Sequence, residues 1–257
     1  MYLSVDIGGT KTLIAAFSGR GRVLKKRKFK TALQAEDFLR DLSATLADFT
    51  KYRIRVVVVA IPGLIRSNNW VHFGKRDWDG IDIRGCIKNL FNCPIYLEND
   101  ANLAAIYESW RLKGKSIFLT FSTGLGGGIA ENGHLLPESH NFEPGEVEYI
   151  NDGRLQQWQN IAAASALEKY FGVSRVTDLR SHEAMREIAS RIALGLPDLV
   201  AAHHPRTIIL GGPLGKIFKL YVKYLPKFHN VRYRRPRRPL ESVIYGCFLL
   251  ARQKDRS

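Results

Sequence analysis

Four short stretches of this chain carry residue types that could do chemistry together. In Asp6-Ile7-Gly8-Gly9-Thr10-Lys11, a carboxylate at the end of an apolar strand meets a glycine turn with hydroxyl and ammonium donors. In Ile95-Tyr96-Leu97-Glu98-Asn99-Asp100-Ala101-Asn102, an apolar strand ends in a polar burst. A helix follows at once, with Leu103, Ala104, Ile106, Tyr107 and Trp110 on one face. Ser122 to Gly128 is a second glycine-rich turn, and Gly211-Gly212 closes a late strand. Glycine turns at strand ends let backbone N–H groups approach phosphate oxygens without interference from a Cβ. Neither turn matches the G-x-x-x-x-G-K-[ST] loop, and Gly8-Gly9-Thr10 opens no helix as a dinucleotide fingerprint does. The chemistry that suits the set is phosphoryl transfer, which needs positioning, charge neutralisation and a base for the acceptor hydroxyl. Asp100 would be that base, and Asp6 would hold Mg²⁺ directly or through water. Backbone at Gly9-Thr10 and Thr123-Gly124 would bind phosphates, with Gly211-Gly212 leaving room for a nucleoside. Each stretch has a simpler reading: Asp100 as a helix cap, the glycines as plain tight hairpins. Their recurrence favours the site.

The elements that must position these residues are legible in the periodicity. Strands are expected at Tyr2 to Ile7, Thr12 to Phe17, Val23 to Thr31 and Ile54 to Ile61, the last a β-branched run suited to burial on both faces. Gln34 to Phe49 has helical spacing, and a loop with Trp70, Phe73 and Trp78 leads to a helix near Ile83 to Phe91. After Lys113-Gly114-Lys115 the pattern restarts with a strand at Ser116 to Phe121, the glycine turn, and a return strand from Ile129. Set side by side, Leu3 to Thr10 and Leu119 to Gly126 both read strand, polar residue, glycine turn, strand. Such a repeat predicts a duplicated α/β fold with a cleft between the halves. Helices are expected from Asn160 to Tyr170, from Glu183 to His203 with a kink or break at Pro197, and from Leu240 to Arg252.

Composition sets outer bounds. With 257 residues, 45% hydrophobic and 25% charged, the chain can form one large or two small domains. No apolar run reaches the length of a membrane span. Cys86, Cys93 and Cys247 have no metal-ligand spacing and read as reduced thiols, so a cytoplasmic location without a membrane partner is expected. The charge is unusual: 39 Lys plus Arg against 24 Asp plus Glu gives +15, with basic blocks at 20–30 and 232–238. That field favours anionic partners, although a solvated basic surface is the simpler account. Nucleic acid is disfavoured as a partner, because Tyr233 alone interleaves an aromatic ring with the arginines.

Taken in order, six motifs resemble the ROK family of sugar kinases and repressors, within the actin/hexokinase-like ATPase superfamily. They are Asp6 to Lys11, Ile61-Pro62-Gly63, Glu98 to Asn102, Thr123 to Gly128, Gly145-Glu146-Val147 and Leu210-Gly211-Gly212. The resemblance implies a two-domain α/β fold of the actin/hexokinase-like (ribonuclease H-like) type. Residues 1–110 with 240–257 would form one domain and 111–239 the other. It implies ATP- and Mg²⁺-dependent phosphorylation of a hexose or N-acetylhexosamine, and it leaves a homodimer open. By motif position Asp100 resembles the family's base, Asn99 and Glu146 its sugar-hydroxyl ligands, and Gly63 a neighbour of the sugar ring. Gly8, Gly9, Thr10, Lys11, Thr123, Gly124, Gly126, Gly211 and Gly212 fall at its nucleotide and phosphate positions.

Departures concentrate in the substrate shell. Tyr149 stands where a sugar-contacting, often zinc-bound His is expected, and Gln159 where a Glu follows. The cysteine-rich zinc loop is absent from Asn151 to Gln157, so no structural zinc is expected. A carboxylate-to-amide change keeps an acceptor and loses its charge. Two alternatives follow: a polyphosphate-dependent glucokinase, which the basic blocks would suit, or a sugar-binding, sensing protein with little turnover.

Overall fold

The computed structural model describes residues 1–65, 71–72, 78 and 80–256; Trp70 and Phe73 lie outside them. The chain divides into two compact units, Met1–Tyr107 with Val243–Ser257, and Glu108–Ser242.

The first unit begins with β1 (Tyr2–Ile7), β2 (Lys11–Phe17), β3 (Val23–Lys30), α1 (Ala35–Ala47) and β4 (Val56–Ile61). A short ladder, β5 (Leu64–Ile65) with β6 (Val71–His72), precedes α2 (Ile83–Lys88), β7 (Ile95–Asn99) and α3 (Asp100–Ser109). Its sheet has the order β3-β2-β1-β4-β7, with β1–β2–β3 antiparallel and β1, β4 and β7 parallel. All six residues of β4 are buried, as a central parallel strand covered on both faces requires. Phe38, Leu42 and Leu46 of α1 close one face, and Trp78 stacks on Phe38 with ring centroids 4.5 Å apart. The Trp78 indole N–H donates to the Leu33 carbonyl at 2.7 Å, which satisfies its buried polar handle.

The second unit repeats the plan. It contains β8 (Lys115–Phe121), β9 (Leu125–Glu131), β10 (His134–Leu135), the hairpin β11 (Glu148–Asn151) and β12 (Arg154–Gln157), then α4 (Trp158–Ala162) and α5 (Ala164–Phe171). There follow α6 (His182–Ala193), α7 (Leu196–His203), β13 (Thr207–Gly211), α8 (Gly212–Lys216), α9 (Phe218–Tyr221) and β14 (Arg232–Arg234). The sheet order β10-β9-β8-β13-β14 reproduces that of the first unit, including the antiparallel and parallel pairings. Trp158 is fully buried and donates to the Arg191 carbonyl at 3.0 Å. The last helix, α10 (Ser242–Lys254), returns to the first unit, where Phe248 packs against Tyr2 and Phe17.

Several boundaries differ from the periodicity reading. Gly126, Gly127 and Gly128 belong to β9 and not to the turn, which is only Ser122 to Gly124. A Cβ on Gly127 would strike the Phe142 ring, so that glycine clears space for a neighbour on the strand. Counted from the last ladder pair, the partner of Asp6 in the second hairpin is therefore Thr120 and not Ser122. The helix expected from Asn160 is two helices broken at Ala163. Gly195 and Pro197 divide α6 from α7. The segment lacking the zinc loop folds as the β11–β12 hairpin, turning on Asp152 and Gly153 with φ of 51° and 71°. The basic stretch at 232–234 is an edge strand.

Gly212 illustrates a demand that no local pattern announces. Its φ is +68°, and a Cβ there would press on the Phe121 backbone carbonyl of the neighbouring strand. Gly212→Ala is expected to cost about 2–4 kcal/mol, read as a lower denaturant midpoint at unchanged m-value.

Candidate functional site

Three loops of the first unit gather at one edge of its sheet. Asp6 and Gly8 to Thr10 lie at the carboxyl end of β1, Gly63 just beyond β4, and Asn99-Asp100 where β7 becomes α3. Parallel strands expose that edge to ligands. A hydrogen bond from the Asn99 amide to the Gly63 carbonyl at 3.1 Å ties the second loop to the third.

The cap of α3 is Asn99, not Asp100. Its Oδ1 accepts the Ala101 N–H at 2.8 Å and the Asn102 N–H at 3.2 Å. Glu98 holds this turn from the other side, accepting the Asn99 N–H at 2.8 Å and the Asn102 amide at 2.9 Å. Asn99 thus performs the role that the simpler reading assigned to Asp100. Asp100 stands as the first residue of the helix, half-buried, and burial raises its carboxyl to about 6 against the pull of backbone N–H groups at Ala101 and Asp100. Asp6 rises further, to about 7, first by burial and then by repulsion from Asp100. Two carboxylates that feel each other, with no cationic partner among the described residues, form a hard-oxygen pair that a divalent cation would relieve.

The turn beside Asp6 is braced from a distance. Gly8 donates to the Lys11 carbonyl at 3.2 Å, and a Cβ on Gly8 would lie 2.9 Å from that oxygen. Thr31 donates its hydroxyl to the Gly8 carbonyl at 2.8 Å and its N–H to the Thr10 carbonyl at 3.1 Å. At Gly9 nothing lies within 4 Å of where a Cβ would stand, and φ is not positive. Internal packing therefore gives no reason for a glycine at 9. Lys11 pairs across the sheet with Lys30 and lowers the pKa of Lys28 by like-charge repulsion, so the exposed rim of the turn is electropositive.

The second unit places its own residues at the corresponding edge. Ser122 to Gly124 follow β8, and Gly211-Gly212 link β13 to α8. Ser165 at the start of α5 secures the turn, its hydroxyl donating to the Thr123 carbonyl at 2.8 Å. The Gln159 amide oxygen sits 3.1 Å from the Cβ position of Gly124, and its amide nitrogen donates to Gln157 at 2.9 Å. Gly126 stands on β9 opposite Thr120, outside the turn. Glu146 is exposed at the end of a short 3-10 turn, where Gly145 allows close contact with the Leu125 carbonyl. Tyr149 lies with its ring edge-on to Trp158 at 5.9 Å, and its hydroxyl engages Asp198. Burial and that acidic neighbour raise the Tyr149 phenol far above its ordinary range.

Thr31, Ser165, Glu98, Gln157 and Asp198 support the candidate residues and escape sequence reasoning. Glu98 lies within a quoted motif, while Thr31, Ser165 and Asp198 are more than 20 residues from what they hold, with no local signal. Among the described residues no group of three His, Cys, Asp or Glu side chains is arranged to hold a metal ion, and no helix is long and apolar enough to cross a membrane.

The profile of the ROK family matches residues 2–145, and the chain belongs to that family. It is 25% identical to an N-acetylmannosamine kinase of Escherichia coli, with 97% of each chain covered. In three dimensions it resembles the ROK hexokinase of Thermus thermophilus, with a TM-score of 0.79, 24% identity and 99% of each chain covered. It also resembles a ROK family glucokinase of Streptomyces griseus solved with glucose and AMPPNP. There the TM-score is 0.78 and the identity 23%, with 98% of this chain and 99% of that one covered. These likenesses establish the two-domain α/β fold of the actin/hexokinase-like class.

Proposed function

We propose that this chain is a sugar kinase that transfers the γ-phosphoryl group of ATP to a hydroxyl of a hexose or N-acetylhexosamine. The observation that carries the reading is the Asp6–Asp100 pair on one sheet edge, with capping of α3 taken over by Asn99. Ionised Asp100 accepts the proton of the attacking hydroxyl, and Asn99 and Gly63 border the sugar in the first unit. Glu146 and Gln159 supply acceptors from the second unit. Tyr149 acts through its packing on Trp158, since its hydroxyl is already engaged by Asp198. Backbone N–H groups at Gly9 and Thr10, with Lys11, bind phosphates on one unit, and Gly8, whose N–H is held by the Lys11 carbonyl, shapes that turn. Thr123-Gly124 does so on the other, with Gly126 behind the turn and Gly211-Gly212 giving the nucleoside room. Asp6 suits Mg²⁺, which when bound neutralises phosphate charge. The relatives named N-acetylmannosamine kinase and glucokinase support this class of substrate.

A polyphosphate donor is the second reading, favoured by the electropositive rim of Lys11, Lys28 and Lys30 beside the phosphate turn. The deciding assay offers glucose, mannose, N-acetylglucosamine and N-acetylmannosamine with ATP–Mg²⁺ or with polyphosphate. Turnover with ATP supports the proposal, turnover with polyphosphate alone selects the second donor, and sugar binding without turnover in any combination overturns the kinase reading.

Asp100 must be ionised to act as base and Asp6 to hold Mg²⁺, so kcat/KM is expected to fall as pH drops through about 7 and more steeply below about 6. A pH–rate profile flat between pH 7.5 and 5 would contradict that role.

A further inference from the structure

The net charge of +15 is not spread evenly, and one part of it is concave. In the second unit a cavity of about 530 Å³ is lined by Arg111, Lys113, Arg206, Asn230, Arg232 and Arg234, with no acidic residue and no aromatic ring among its lining. The cations come from three places: the segment after α3, the residue before β13, and edge strand β14. Arg232 and Arg234 are two apart on β14 and so share a face. None of the five forms an ion pair among the described residues, whereas Lys115 close by is paired with Glu138 at 2.8 Å. Arg111 lies over the Trp110 ring at 5.0 Å, but like charges drawn into one hollow with no acidic partner among the described residues repel each other.

The cavity is separate from the candidate nucleotide turns. Lys113 and Arg206 precede β8 and β13, at the amino edge of the sheet, while Gly124 and Gly212 follow those strands at the carboxyl edge. The five residues of β13 between them span about 13 Å.

We infer that this hollow is a second anion site, built for a compact ligand carrying several linked phosphate groups. Guanidinium forks bind phosphate oxygens in pairs, and four of the five cations are arginines. The volume matches a small ligand and is too confined for a folded nucleic acid. With no ring to stack on a base, recognition rests on the phosphate chain.

The test is calorimetric titration of the whole chain with tripolyphosphate, ATP and sulfate at one fixed ionic strength, and with a single-stranded RNA oligonucleotide. One tripolyphosphate should bind per chain at this site, and Arg206→Gln/Arg232→Gln should weaken it about tenfold or more. Arg111→Gln/Lys113→Gln, on a different segment, should do the same, and Gly9→Ala should not. ATP binding no tighter than tripolyphosphate through these residues would identify the phosphate chain as the recognised part. ATP binding much more tightly here would overturn the absence of base recognition. Undiminished binding in both double variants, equal affinity for sulfate, or preferential RNA binding through the same arginines would each overturn the site.

Discussion

Asp100→Asn is expected to lower kcat by about three orders of magnitude while making the fold more stable. The two effects have one origin. A carboxylate raised to about 6 is held against its own solvation, and its charge adds to the burial that takes Asp6 to about 7. Both groups bind protons more tightly in the folded chain than in the unfolded one. Their contribution to stability is therefore full below about pH 4, the unfolded value, and is lost as pH rises through about 6 and 7. At pH 8 the wild-type chain carries the whole penalty, and the amide, which needs no ionisation, removes the part due to Asp100. The variant should gain roughly 1–3 kcal/mol at pH 8 and little at pH 4. Asn99 performs the capping, so the substitution leaves the start of α3 intact. Denaturant melts at the two pH values and a single-turnover assay read both halves of the prediction. Lost activity accompanied by lost stability would mean that Asp100 is structural. Retained activity would remove it as the base.

Gly9→Ala should separate folding from activity in the same sense. Beyond its chain neighbours no atom of the described residues stands within 4 Å of the new methyl group and φ is not positive, so the folded chain accepts alanine without strain. Loss of unfolded-state freedom alone then stabilises the variant by about 0.4–1 kcal/mol. A phosphate drawn against the Gly8 to Thr10 backbone meets that methyl, and a displaced donor to a charged oxygen costs about 2–4 kcal/mol, or roughly 30- to 1000-fold in kcat/KM. The loss should appear with the nucleotide as varied substrate. A variant that is more stable and equally active would show that phosphates do not approach this turn. The same substitution at Gly8 makes the contrast, since its methyl would meet the Lys11 carbonyl inside the protein.

Much of the first unit was legible because its signals are local. The run Val56 to Ile61 announces a doubly covered strand by composition alone, and the alternation around Gly8-Gly9 announces a hairpin. The repeat of that hairpin carried the duplicated topology, which both sheets display in the same strand order. Its residue-level alignment was two positions off, because glycine reads alike whether it makes a turn or clears space for a neighbour. By composition Gly126 to Gly128 read as turn, whereas their ladder pairing with Phe118 to Thr120 makes them strand residues, with the Phe142 ring over Gly127. The hairpin in place of the zinc loop was invisible as structure, although Asp152-Gly153 is a strong turn signal once strands are placed on either side.

Residue types alone set which chemical groups are available: Asp6 and Asp100 at strand ends, two glycine turns, a family pattern with departures at Tyr149 and Gln159, and a large excess of positive charge. Those are properties of residue type and spacing, and they survive without coordinates. Tertiary structure alone decided what each group is free to do. It gave the cap to Asn99, brought Thr31 under the Gly8 to Thr10 turn, spent the Tyr149 hydroxyl on Asp198, and gathered five cations from three segments into one hollow. The reason is range. Propensity and periodicity act over a few residues, whereas burial, repulsion and hydrogen-bond competition depend on neighbours that the chain reaches only after it folds.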